Sequence, residues 1–213
     1  MIIALIAAAA ISAPTPQPLR EVIYHVSYVR HTDSGAGDGD SDHGTVTVDV
    51  MAVSHNALGL KVTERFSKSP KALVALGTIE PTGNVVFAAG ALTDVTYQLL
   101  PYFAPQLAPP QPLEPGVAWS VKDDRKSLTA KTSYSVVSVQ GTSVTIGVKQ
   151  TVTVHDATHS QITSSGTVVY EPRLLVPLSG DITKRLSLKL SGATQTVLLS
   201  LHFARSSDTR DSQ

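Results

Sequence analysis

From Glu21 onward, apolar and polar residues exchange places at every second position, the period of a half-buried strand and not of a helix. Val22, Tyr24, Val26 and Tyr28 share one side of the first run, with His25, Ser27 and His31 on the other. In Thr45–Val53 the apolar set is Val46, Val48 and Val50, against Thr45, Thr47 and Asp49. The pattern continues through Leu58, Leu60, Val62 and Phe66, through Val144, Ile146, Val148, Val152 and Val154, and through Leu186, Leu188 and Leu190. A last run carries Val197, Leu199, Leu201 and Phe203. Turn-forming stretches at 54–59 (SHNALG), 81–84 (PTGN), 140–142 (QGT) and 191–193 (SGA) separate the runs at spacings that suit an antiparallel meander. About ten strands fit this template, which predicts an all-β, mainly antiparallel fold. One strongly curved sheet or half-barrel, buried on one face and wet on the other, is the architecture expected.

A single stretch breaks the alternation. Ala91–Phe103 (ALTDVTYQLLPYF) places Leu92, Val95, Tyr97, Leu99 and Leu100 on a helical pattern, with Thr93 and Asp94 as caps and Pro101 as the terminator. Directly after it, Ala104–Gly116 (APQLAPPQPLEPG) has five prolines in thirteen residues and reads as an extended crossover. The crossover separates two groups of strands, each too small to cover its own sheet edges. One domain over 14–205 is therefore expected, with the helix and crossover lying over the concave face. The tail 206–213 (SSDTRDSQ) reads as disordered.

The beginning of the chain has a different character. Residues 1–13 (MIIALIAAAAISA) form an apolar run ending in small residues and followed by Pro14, Pro16 and Pro18, the pattern of a secretory signal peptide. It is shorter than the roughly 20 apolar residues that span a membrane. An exported, soluble protein, periplasmic or extracellular and without a membrane span, is expected. The 213 residues carry 17 basic and 17 acidic side chains, so no cation excess exists to displace phosphate counterions, and nucleic acid is not expected as a partner. The chain has no cysteine, which removes disulfides, thiolate metal ligands, a thiol nucleophile and thiol lipidation.

Candidate chemistry is sparse. The segment His31–Gly44 (HTDSGAGDGDSDHG) sets Asp33, Asp38, Asp40 and Asp42 among glycines. Carboxylates at alternate positions on a backbone able to curl suit a hard cation, so Asp38, Asp40 and Asp42 are a candidate calcium set. The EF-hand pattern is incomplete, because His43 stands where glycine belongs and a strand follows, and a solvated hairpin loop is the competing reading. His155, Asp156 and His159 flank a turn and could supply zinc ligands. No G-x-S-x-G elbow, H-E-x-x-H or Walker-type loop occurs, so no catalytic residue is assigned and no enzymatic activity or cofactor is expected. Glu64 and Gln150 interrupt apolar faces. A carboxyl group at such a position is either at a bulge or a polar anchor in a cavity.

The alternating runs, the helical stretch 91–103 and Leu113-Glu-Pro-Gly-Val-Ala-Trp119 together resemble the exported half-barrel, or β-clam, proteins that carry lipoproteins. The Pro-Gly-x-x-Trp element is similar to the start of a strand in some secreted domains of that type, and the likeness extends over about residues 21–205. The resemblance implies a concave apolar face and covering helix that hold an acyl chain or other lipid-like small molecule without covalent chemistry. On that basis the ligand-binding residues expected are Tyr24, Val26, Tyr28 and Glu64 on the sheet, and Tyr97, Leu100, Tyr102 and Phe103 on the lid. A structural or adhesive envelope module with a filled core is the alternative, and a hydrolase using His and Asp is a third.

Overall fold

The computed structural model describes residues 19–33, 39–54, 57–80, 85–106, 113–155, 160–171, 177–190 and 193–206. Residues 1–13, where a signal peptide is expected, and Asp38, Asp156, His159 and residues 207–213 lie outside this set. Eleven strands run β1 (Arg20–Thr32), β2 (Asp40–Ser54), β3 (Ala57–Phe66), β4 (Ser69–Ile79), β5 (Val85–Gly90), β6 (Ala118–Arg125), β7 (Leu128–Gln140), β8 (Ser143–Val154), β9 (Gln161–Tyr170), β10 (Pro177–Leu190) and β11 (Ala193–Arg205). They form one antiparallel sheet in the order β5-β4-β3-β2-β1-β11-β10-β9-β8-β7-β6, not closed into a barrel.

This order has a simple cause. Every neighbouring pair within 1–5 and within 6–11 is a hairpin, and the single long connection joins the two edges. The first and last strands consequently pair at the centre, Tyr24 opposite Arg205 and Tyr28 opposite Leu201. The sheet curls toward the side of its buried residues. Register shifts at Val50/Ala52, Glu64/Phe66, Leu76/Gly77, Val136/Ser138 and Pro177/Ser179 add the local bends that curvature requires. Curling brings opposite ends of the sheet together. Arg125 at the end of β6 reaches Glu80, just past β4, at 3.2 Å.

Residues 91–106 fill the inside of the curl. The α-helix is shorter than the pattern suggested, covering Asp94–Leu99 (α1), and the chain then tightens into a 3-10 helix over Leu100–Gln106 that includes Pro101. Six residues are too few for a stable isolated helix. Packing holds it instead: Val95, Leu99, Leu100, Tyr102 and Phe103 are 0–3 % exposed and belong to the same core as Val46 of β2 and Ile146 of β8. Phe103 meets the edge of Tyr24 at 5.8 Å, and Tyr24 meets Phe203 at the same distance. A side chain at position 180 would place its Cβ 2.5 Å from the Phe203 ring, so Gly180 is what admits that ring beneath β10. Gly141, at φ +58°, supplies the left-handed residue of the β7–β8 turn expected at 140–142.

Three expectations change here. The acidic segment is not a solvated loop through Gly44: strand β2 begins at Asp40 and carries Asp40 and Asp42 opposite Arg30 and Tyr28. The start of the proline-rich crossover, residues 104–106, belongs to the 3-10 helix. Ser206, read as the start of a disordered tail, is buried and its amide donates to the Ile23 carbonyl at 2.7 Å.

Candidate functional site

The concave face has a packed end and an open end, and a row of polar residues separates them. Strand register sets Arg30, Leu199, Lys184, Ser164, Gln150 and Thr132 side by side across β1, β11, β10, β9, β8 and β7. On one side of the row Ile182, Gly166, Val148 and Tyr134 face the core beneath the helix. On the other, Leu186, Ile162, Val152 and Ala130 form an apolar strip.

Two cavities open over that strip. The first, about 300 Å³, is walled by Ile162, Leu186, Val197 and Leu199 and carries Arg30, Thr32, Asp94, Gln98 and Lys184. The second, about 250 Å³, lies beside Tyr97 and Pro101 and runs along Leu128, Ala130, Val152 and Val154 with Gln150 in its wall. Gln98, Ile162 and Lys184 line both, so the cavities meet at those residues. A further hollow of about 430 Å³ on the convex side is bordered mainly by polar, outward-facing residues such as Ser27, Thr183 and His202.

Lys184 is the unusual group. Its side chain is 7 % exposed, its Nζ donates to Gln98 Oε1 and stands 5.6 Å from the centre of the Tyr102 ring, and no ion pair to a carboxylate forms among the described residues. Burial pushes its ammonium down to about 8. Around it, Gln150 Nε2 donates to Thr132 Oγ1 at 3.1 Å. The hydroxyls of Tyr102, Tyr134 and Ser164 are buried and none completes a hydrogen bond among the described residues, although Ser164 lies near enough to Tyr102 to offset part of the rise that burial imposes on its phenol.

Glu64 is a clasp for the lid. It sits at the β3–β4 bulge, 1 % exposed, where Oε1 accepts the Thr93 amide at 2.6 Å and Oε2 accepts the Thr93 hydroxyl at 3.0 Å. Thr93 is the N-cap residue, but its hydroxyl serves Glu64 and caps no helix amide. The far end of the lid is fastened by Tyr170, whose hydroxyl donates to the Tyr102 carbonyl. Of the two possibilities raised by the sequence the bulge is realised, whereas the carboxyl anchors Thr93 and lines neither inner cavity.

Of the other residues expected to bind ligand, Tyr97 lines the second cavity. Tyr24, Val26, Leu100, Tyr102 and Phe103 are 0–2 % exposed and packed in the core, so they support the site from beneath. Tyr28 borders the convex hollow, stacks edge-on against Phe66 at 6.1 Å and donates weakly to Asp40 at 3.4 Å. Asp40 pairs with Lys68 at 2.6 Å. Asp42 accepts from the Ser67 hydroxyl and from the amides of His43 at 2.7 Å and Lys68 at 3.1 Å, organising the β3–β4 turn. Burial alone would raise Asp42, but these bonds outweigh it and hold its carboxyl below the ordinary range. Among the described residues no group of three or more His, Asp or Glu side chains is placed to hold a metal ion. His155 Nε2 is shared with the Thr129 hydroxyl at 2.9 Å.

The residue that sequence reading missed is Lys184. The alternation noted from Leu186 onward extends back to Ile182, and Lys184 interrupts it on the apolar side as Gln150 interrupts β8. That signal was present in the chain. Its meaning required the register, which lines the two interruptions up with Ser164 between them. No family model matches this chain, and no curated protein aligns with it significantly.

Proposed function

We propose that this protein is a non-enzymatic, extracytoplasmic binder or carrier of an apolar, chain-like ligand seated at the open end of the concave face. The observation that carries this reading is the pair of adjoining cavities of about 300 and 250 Å³, walled mainly by Ile162, Leu186, Val197, Val152 and Leu128. The first lies at the lower end of the roughly 300–1,000 Å³ usual for small-molecule sites and the second just below it, and they meet at Gln98, Ile162 and Lys184. A lid pinned at Glu64 and Tyr170 supports the same reading, because it keeps the interior from collapsing onto the strip. Alkyl surface buried there would contribute about 25 cal/mol per Å².

Native mass spectrometry of protein purified from its host, followed by displacement of a fluorescent fatty acid, tests this. Co-purifying lipid and saturable uptake are expected, with uptake abolished when Ala130→Phe and Val197→Phe fill the cavities. A clean apo mass with no uptake by the unaltered protein would overturn the carrier reading in favour of a structural envelope module.

A further inference from the structure

We infer that the ligand is an anionic single-chain amphiphile whose headgroup is held by Lys184 at the junction of the two cavities, with the chain along Ile162, Leu186 and Val152. This rests on the carrier reading above. A lysine stands in the buried polar row of an otherwise apolar face. A charged group removed from water is expensive unless something compensates it. Here an amide oxygen and an aromatic face are the partners found, and an ammonium has three donor hydrogens of which Gln98 accepts one. An anion entering the junction would complete what the fold leaves incomplete.

The neighbours agree with this assignment. Ser164, directly beside Lys184 in the row, has a buried hydroxyl with no completed bond. Arg30 adds a second cation to the first cavity, against the carboxyl of Asp94, while the carboxyl in the second cavity, Asp123, is paired with Arg125 at 2.9 Å. The groups around Lys184 are therefore Arg30 and Thr32 from β1, Asp94 and Gln98 from α1, Tyr102 from the 3-10 helix, Ser164 from β9, and across the second cavity Asp123 from β6 and Gln150 from β8. A neutral or cationic head would leave Lys184 as costly as before. Carboxylate and phosphate monoester heads share the chemistry required.

Decanoate, decyl phosphate and decanol, compared by isothermal titration at pH 7 on the full protein, separate the possibilities. Both anions are expected to bind at least tenfold tighter than decanol, the better of the two showing which head the junction fits. Lys184→Met and Lys184→Gln should abolish the preference of the anions over decanol. With the unaltered protein, decanoate affinity should fall as pH rises past about 8, because Lys184 then loses its proton, whereas decanol affinity stays level. Equal binding of the three by the unaltered protein would overturn the headgroup assignment and leave the carrier reading standing. A preference that survives Lys184→Gln but vanishes in Arg30→Gln would overturn it in favour of Arg30. Failure of decanol and both anions to bind would overturn both readings.

Discussion

Replacing Glu64 by leucine should loosen the lid without disturbing the sheet, and the size of the effect follows from two hydrogen bonds. Glu64 accepts the Thr93 amide at 2.6 Å and the Thr93 hydroxyl at 3.0 Å from a position 1 % exposed. Leucine removes both acceptors, and each donor left without a partner costs about 1–3 kcal/mol. Extra apolar burial offsets part of this, about 1 kcal/mol, leaving a net loss of about 1–5 kcal/mol. For a domain of this size that is a fall of roughly 2–20 °C in melting temperature. Thr93→Val deletes the hydroxyl bond alone and should cost about 1 kcal/mol. The double variant should then lose less than the sum, since the two residues share the interaction. Differential scanning calorimetry gives the magnitudes. Amide exchange gives the location, with faster exchange at Thr93 and at Tyr97, whose amide donates to the Thr93 carbonyl, and no change along β11. A Glu64→Leu protein melting within about 1 °C of the unaltered one would refute the clasp.

Lys184→Met should stabilise the protein at pH 7 by roughly 1–3 kcal/mol, because lowering an ammonium from 10.5 to about 8 reflects a burial cost that methionine does not incur. The sign with pH follows: between about 8 and 10 the unfolded chain still holds the proton that folded Lys184 has released, so stability should rise across that window in chemical denaturation and stay flat there in Lys184→Met. Tyr170→Phe, which removes the bond to the Tyr102 carbonyl, should cost about 0.5–1.5 kcal/mol by urea denaturation, and a neutral result would mean the far end of the lid is held by packing alone. Glu80→Ala should leave the thermal midpoint unchanged, because the Arg125–Glu80 pair is exposed and screened. A fall as large as that of Glu64→Leu would instead show the ends of the sheet to be latched by that pair.

The strands were legible because their information is local. Alternation in Val22–Val26, Val46–Val50 and Leu58–Val62 assigns a face to each residue before any partner is known, and the alternating apolar residues of those runs are core. The helix was legible in place but not in extent, since the pattern 91–103 does not show where α-helical bonding gives way to the tighter turn around Pro101. The acidic segment misled for the opposite reason. Asp40 and Asp42 have loop-like composition, yet pairing with Arg30 and Tyr28 and bonds from Ser67 and Lys68 draw them into β2.

What the chain determined alone is therefore the class of fold, its wet and dry faces, and two polar interruptions at Glu64 and Gln150 that demanded partners. Tertiary structure decided who those partners are. Glu64 meets Thr93 across 29 positions of sequence and fastens a lid. Gln150 joins Lys184, Ser164 and Thr132 in one row only because four strands fall into a particular register. The aromatic residues that resembled cavity walls became core for a related reason. A curled sheet without cysteine must fill most of its interior with its own side chains, and Tyr24, Tyr102 and Phe103 do so, leaving open space beyond the polar row.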